Sequence, residues 1–135
     1  MASGEDLPEN VKAVIADCGY TSEWDEFRRE ADALHIPWFP VLNATSVLSK
    51  IRDGYDFKQA SALAQVKKSH IPTLFIHGSS DELVPYSMLG ELYAAAACEK
   101  EELTVEGAGH ALSSSVAPTL YWHTVEDFIA KYLDR

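Results

Sequence analysis

Hydrophobic and polar positions along this chain follow two rhythms. Val11-Lys12-Ala13-Val14-Ile15-Ala16-Asp17-Cys18 is a short, β-branched, mostly apolar run closed by Gly19. That pattern predicts a strand buried on both faces, as in a parallel sheet. Pro72-Thr73-Leu74-Phe75-Ile76 is another short apolar strand, closing at His77-Gly78, and Glu102-Leu103-Thr104-Val105 reads as a third strand, closed by Glu106-Gly107-Ala108-Gly109. Between them apolar residues recur at helical spacing. Trp24, Phe27, Ala31 and Leu34 predict a helix that opens at Ser22, with Asp25 three residues on as in a capping box, and stops at Ile36-Pro37. A second helix is predicted from about Phe39 to Arg52, ended by Gly54, and a short third one capped by Asp56 and running through Ala60, Leu63 and Val66. Pro85 is placed to open a helix reaching about Ala97, with Met88, Leu89 and Leu92 on its core face. After a serine-rich loop, Ser113 to Ser115, Pro118 opens a last helix; its apolar stripe is Leu120, Tyr121, Val125, Phe128, Ile129 and Tyr132, with Leu133 beside it. Residues 1–9 read as a polar tail or loop.

The order strand, helices, strand, helix, strand, helix predicts an α/β fold in three layers, with a parallel sheet of about three strands and right-handed crossovers. A length of 135 residues fits one domain by size alone, and no repeat or long linker divides it. Apolar residues at 47% and aromatics at 10% exclude a disordered chain. With 11 basic against 21 acidic residues the formal charge is −10, which disfavours nucleic acid and anionic membrane surfaces as partners. No apolar run approaches the ~18 residues of a spanning helix. Met1 to Asp6 lacks the basic and apolar regions of a signal peptide. Cys18 and Cys98 alone make no disulfide scaffold, so a reducing cytoplasm is the expected location. His77 ends a strand and reads as structural, while His35, His70 and His123 have no ligand-spaced neighbours; no metal and no cofactor are expected.

Candidate chemistry begins with Asp81, in His77-Gly78-Ser79-Ser80-Asp81, and His110, in Gly107-Ala108-Gly109-His110. Each falls just past the C-terminal end of a predicted strand, where open α/β sheets place their ligands. Either residue alone reads more often as a turn or cap residue. Their separation of 29 residues is one strand-helix-strand unit, so parallel neighbouring strands bring the two side chains to the same edge. A carboxylate that orients an imidazole makes two-thirds of a nucleophile-base-acid triad, and Gly107 and Gly109 permit a tight, exposed turn around the base.

The run His77-Gly78-x-x-Asp81-x-x-Val84-Pro85, followed by Gly107-x-Gly109-His110, resembles the C-terminal half of an α/β-hydrolase. Val11 to Thr21 is similar to that family's sixth strand and the turn after it. Pro72 to Ile76 is similar to the seventh, Leu103 to Val105 to the eighth, and Trp122 to Leu133 to the last helix. Among its members the chain looks most like serine esterases and peptidase-like hydrolases with a helical insertion after strand six. The resemblance implies that Asp81 is the triad acid and His110 the base, acting on an ester or peptide-like acyl bond. Residues 20–57 then correspond to a helical lid within the 1–135 portion of the hydrolase domain. That segment holds half of the chain's aromatic residues. Trp24, Trp38 and Phe39 are its candidate substrate-binding residues; the alternative is that these aromatics cover the sheet or one another.

The family's chain order is Ser, Asp, His, with the serine on a Gly-x-Ser-x-Gly elbow. No such motif occurs here, and Ser79, Ser80, Ser87 and Ser113 to Ser115 lack its flanking glycines. The sequence is therefore expected to begin just downstream of the nucleophile, with Ser3 to Pro8 following the elbow's helix. The oxyanion-hole donors would lie before Met1 as well, so the chain alone is expected to be inactive. Without the family's fifth strand, the run Val11 to Cys18 would be an open sheet edge. It is expected to pair with a second copy in a homodimer, or with a missing N-terminal half. A membrane anchor of the parent enzyme would lie in that half. The alternative to an enzyme portion is a non-catalytic dimeric remnant with a binding or assembly role; an in-frame Gly-x-Ser-x-Gly upstream of the Met1 codon separates the two.

Overall fold

The computed structural model describes residues 7–57 and 60–133. The expected tail at 1–9 therefore lies mostly outside the described residues, and the segment Ser3 to Pro8 is described only at Leu7 and Pro8. The elements in chain order are β1 (Val14–Asp17), α1 (Glu23–Ala33), α2 (Trp38–Asp53), α3 (Ala62–Val66), β2 (Thr73–Gly78), α4 (Ser87–Ala95), β3 (Lys100–Val105), α5 (Ser113–Val116) and α6 (Pro118–Leu133). All three strands are parallel and lie in the order β1-β2-β3. Thr73 is opposite Val14 on one side and Lys100 on the other, and Gly78 is opposite Val105, so β2 and β3 end level.

Period-two alternation assigns the faces. Leu74 and Ile76 of β2, with Val105, pack against Tyr121, Val125, Phe128 and Tyr132 of α6, joined by Ile15 and Leu103 from the outer strands. Phe75 turns the other way, onto Leu89, Leu92 and Ala96 around α4 and Val66 of α3, with Ala16 of β1 beside them. The result is three layers: α3 and α4, the sheet, and α6. Central β2 is buried at every position, as a parallel strand covered on both faces must be.

Several local expectations shift. The α3 cap is Ser61, whose hydroxyl accepts the Ala64 N–H at 3.2 Å, while Asp56 receives Ser46 Oγ and Lys50 Nζ instead. Pro85 lies in the turn before α4, where its carbonyl accepts the Met88 N–H at 2.9 Å. The serines expected in a loop form a turn of helix, α5, so that Ser113 is fully buried. In the last helix Leu120 and Leu133 are exposed, leaving a narrower stripe than the sequence marked. At Ser22 half of the capping box is made: its hydroxyl accepts the Asp25 N–H at 3.4 Å. Gly54 ends α2 as expected, at φ 70°.

Helices α1 and α2 form an excursion whose two ends are stitched together. Glu23 N–H donates to the Ala60 carbonyl at 3.2 Å, and Leu63 N–H to the Thr21 carbonyl at 3.1 Å. The helices themselves bury little: α1 has no buried residue, and α2 has only Leu42 and Ser46. Phe39, Val47, Leu48 and Ile51 form an exposed apolar strip on α2. Among the described residues, no helix is long and apolar enough to cross a membrane.

Candidate active site

The parallel register carries the ends of β2 and β3 to one edge, and their loops are sewn to each other there. Ser79 N–H donates to the Val105 carbonyl and Ser80 N–H to the Ala108 carbonyl, both at 3.0 Å. This close approach is the reason for Gly78: a Cβ there would lie 2.2 Å from the Ala108 carbonyl oxygen. Left-handed backbone in the second loop falls on Gly107, at φ 73°, and on Ala111, at φ 55°; Gly109 does not adopt it, so only one of the two flanking glycines is needed for its conformation.

Asp81 and His110 meet. His110 Nδ1 lies 2.9 Å from Asp81 Oδ2. The other carboxylate oxygen of Asp81 accepts the backbone N–H groups of Leu83 at 3.0 Å and Val84 at 2.9 Å. The carboxylate is thus fixed at both oxygens, and its side chain is fully buried, whereas that of His110 is 37% exposed. Burial alone would push the Asp81 carboxyl up. The Val84 N–H and the His110 imidazole outweigh it and hold the group below its ordinary value. An ionised carboxylate can only accept, so His110 Nδ1 carries the proton of this contact, and in a neutral imidazole Nε2 is the nitrogen with the lone pair. The arrangement can take up and return a proton at Nε2.

His77 is the structural residue that the sequence implied, but it also serves the acid. It is fully buried, and its Nε2–H donates to the Val84 carbonyl at 3.0 Å, with Asp81 Oδ2 at 3.3 Å. His77 thereby holds the loop that carries the carboxylate. Cys18, by contrast, was visible in the sequence only as one of two cysteines. Both are free, and Cys18 lies one residue past β1, with its sulfur, the Asp81 carboxylate and a His110 nitrogen all within 4.8 Å of one another. Among the described residues this is the single cluster able to share a cation. No periodic signal points to Cys18, because the contact joins residues 93 apart in the chain.

The serines hold other posts. Ser79 Oγ donates to Glu106 at 3.0 Å and accepts the Gly107 N–H, and Ser113 Oγ is buried without a hydrogen-bond partner among the described residues. No serine hydroxyl is hydrogen-bonded to His110 among the described residues. In the excursion, Trp38 lines an apolar cleft of about 250 Å³ between α1 and α2, together with Phe27, Ile36, Leu42 and Phe57. Phe39 stacks edge-on against Trp38 at 6.1 Å but faces a separate, shallower groove on α2. Half-buried Trp24 is not among the residues lining the Trp38 cleft. The other aromatics cover one another: Phe27 and Tyr55 both pack on Phe57.

This fold, with Asp81 and His110 past the second and third strands of its parallel sheet, is similar to known structures. An esterase from Pyrococcus furiosus matches over 98% of this chain and 48% of its own, with a TM-score of 0.69 at 18% identity. The acylaminoacyl peptidase of Pyrococcus horikoshii matches over 95% of this chain and 21% of its own, with a TM-score of 0.65 at 15% identity. The chain has the α/β-hydrolase fold. Curated sequences are similar to the chain as well. The uncharacterized protein YqkD of Bacillus subtilis is 30% identical over 132 residues, which is 96% of this chain and 43% of that protein. The α/β-hydrolase domain-containing protein 17C of Xenopus tropicalis is 30% identical over 104 residues, or 76% of this chain and 34% of that one. The chain therefore spans less than half the length of the curated relatives it matches. No protein-family model matches it.

Proposed function

We propose that this chain contributes the acid, Asp81, and the general base, His110, of a serine hydrolase that cleaves ester or peptide-like acyl bonds. The observation that carries the reading is the 2.9 Å Nδ1–Oδ2 contact at the C-terminal edge of a parallel sheet, with acid before base in the chain. In this reading Nε2 of His110 takes the proton of a serine hydroxyl and later returns it to the leaving group, while Asp81 fixes the tautomer and stabilises the imidazolium. The serine and the oxyanion-hole donors come from polypeptide outside these 135 residues, because the sequence has no Gly-x-Ser-x-Gly. Trp38 and its cleft in the 20–57 segment would receive an apolar acyl or side-chain group. Among the described residues strand β1 is paired only to β2, and in this reading its outer edge takes a partner strand, either the remainder of the hydrolase or a second copy of this chain.

A fluorophosphonate that labels active serines separates the parts of this reading. The chain alone should not react; labelling near one per chain would refute the external nucleophile. A longer polypeptide that includes the upstream Gly-x-Ser-x-Gly should hydrolyse a p-nitrophenyl ester and lose roughly 10³-fold or more in turnover with His110→Ala. Undiminished turnover in that variant would remove His110 as the base. Light scattering at micromolar concentration should report a dimer, and a monomer would refute pairing of two copies through β1.

A further inference from the structure

The sequence marks Asp81 and His110 but leaves unexplained what keeps the His110 loop in place, since that loop is irregular and its base is more than a third exposed. The end of β1 supplies the answer. Cys18 is locked by its own backbone: its N–H donates to the Ile76 carbonyl of β2 at 2.9 Å, and its φ of 53° turns the side chain out of the strand's alternation. The sulfur, buried with its residue only 6% exposed, accepts the Ala111 N–H at 3.2 Å, immediately after the base. Ala111 is itself in left-handed backbone, at φ 55°, which an alanine adopts only when its surroundings impose it. The thiol proton is directed at the neighbouring Asp17, whose Oδ1 lies 3.3 Å away, and Asp17 Oδ2 accepts the Tyr121 hydroxyl of α6 at 3.0 Å. A continuous path therefore runs from α6 through Asp17 and Cys18 to the loop of the base.

We propose that Cys18 is a positioning residue for the Asp81–His110 pair, its sulfur being the acceptor that pins the His110 loop against the end of β1. The proposal rests on the reading of Asp81 and His110 as acid and base. Its geometry accounts for a thiol at this place. The sulfur stands among Ala111, Asp17, Asp81 and His110 and is kept protonated: burial and the Asp17 carboxylate push the group up to about 11, against a smaller opposing pull from the Ala111 and Gly78 backbone. A protonated thiol donates one hydrogen bond and accepts another without adding charge beside the carboxylate. Cys18 is thus a fixed peg rather than a nucleophile.

The test uses this chain and NMR, and needs no turnover. In Cys18→Ala the Ala111 amide should exchange with solvent about five- to tenfold faster, as the loss of one hydrogen bond implies. The far-downfield His110 Nδ1–H signal should weaken. The carboxyl titration of Asp81, which faces His77, His110 and Cys18, should move upward. Cys18→Ser keeps an acceptor and a donor and should restore all three, while amides of Leu74 and Ile76 in β2 stay protected in both variants. Unchanged Asp81 and His110 signals in Cys18→Ala overturn the proposal. So does a Cys18→Ser variant that fails as fully as alanine, because the sulfur then only fills volume. Faster exchange at Leu74 and Ile76 along with Ala111 also overturns it, since the effect is then on global stability. A failure of the phosphonate or ester assays would remove the hydrolase reading and leave these spectra as they are.

Discussion

Replacing Gly78 with alanine tests how tightly the loops of acid and base are joined. A Cβ at this position would sit 2.2 Å from the Ala108 carbonyl oxygen and 2.7 Å from its carbon, both backbone atoms. Contact begins at about 3.0 Å, so the turn from Gly107 to His110 must retreat by roughly 0.8 Å. That retreat stretches the Ser80–Ala108 hydrogen bond, 3.0 Å, out of its useful range. Passed on to His110, it lengthens the 2.9 Å contact with Asp81 to about 3.7 Å, which is no longer a hydrogen bond. Overpacking costs about 1–3 kcal/mol and the weakened backbone hydrogen bond about 1 kcal/mol, giving a total near 2–4 kcal/mol. At about 4 °C per kcal/mol, the melting temperature should fall by about 8–16 °C. Gly109→Ala is the control: its Cβ would meet Leu112 Cδ1 at 3.6 Å and the Ser80 carbonyl oxygen at 4.0 Å, ordinary distances, and its cost should stay within about 0.5 kcal/mol. Thermal melts followed by circular dichroism, with the His110 Nδ1–H signal read on the same samples, decide the matter. A Gly78→Ala melt within about 2 °C of the parent, with that signal intact, refutes the reasoning.

Asp81 is held below its ordinary 3.8, so its ionised form contributes stability that is present above about pH 4 and lost as pH falls through the lower folded value. Melting temperature between pH 6 and 2.5 should therefore drop more steeply for the parent than for Asp81→Asn, and parallel curves would contradict the assignment. Phe128 is fully buried against the sheet, and Phe128→Ala should cost about 3–5 kcal/mol in urea unfolding; a loss below about 1.5 kcal/mol would mean that the α6 layer is not the core described. Gly54 and Gly107 have φ of 70° and 73° with open space around them, so alanine at either should cost about 1 kcal/mol through backbone strain alone. Equal melting temperatures for those variants and the parent would count against left-handed backbone there. With its thiol pushed up to about 11, Cys18 is about one part in a thousand thiolate at pH 8, and iodoacetamide should modify it at about a hundredth of the rate of an ordinary thiol, or slower. Peptide mass spectrometry that finds Cys18 alkylated as fast as free cysteine would contradict this environment.

The fold was legible where apolar periodicity and sharp punctuation coincide. The three strands, the Gly54 end of α2 and the opening of α6 at Pro118 all stand in the sequence; only β2 is the fully buried strand that an unbroken apolar run implies, while β1 keeps just Val14 and β3 just Val105 buried. The capping of α3 was not legible: Asp56 and Ser61 are both good cap residues, and the choice falls to Ser61 because its hydroxyl also reaches the Thr21 carbonyl, 40 residues earlier. The serines at 113–115 look like a loop by composition, yet packing of α5 against α6 winds them into a turn of helix.

The site divides in the same way. By itself the sequence placed Asp81 and His110 just past the ends of two predicted strands, one crossover apart, while the structure supplied the pairing and register of those strands. The sequence also determined that no serine here carries the flanking glycines of a nucleophile elbow. Only the tertiary structure decided that Gly78, rather than Gly109, is the glycine the site cannot replace, because the reason is a carbonyl 30 residues away. It alone brought His77 onto the carboxylate and Cys18 onto the loop of the base. Such contacts join side chains across strands and depend on distances of a few ångströms between separate segments, for which a linear pattern of polar and apolar residues carries no signal.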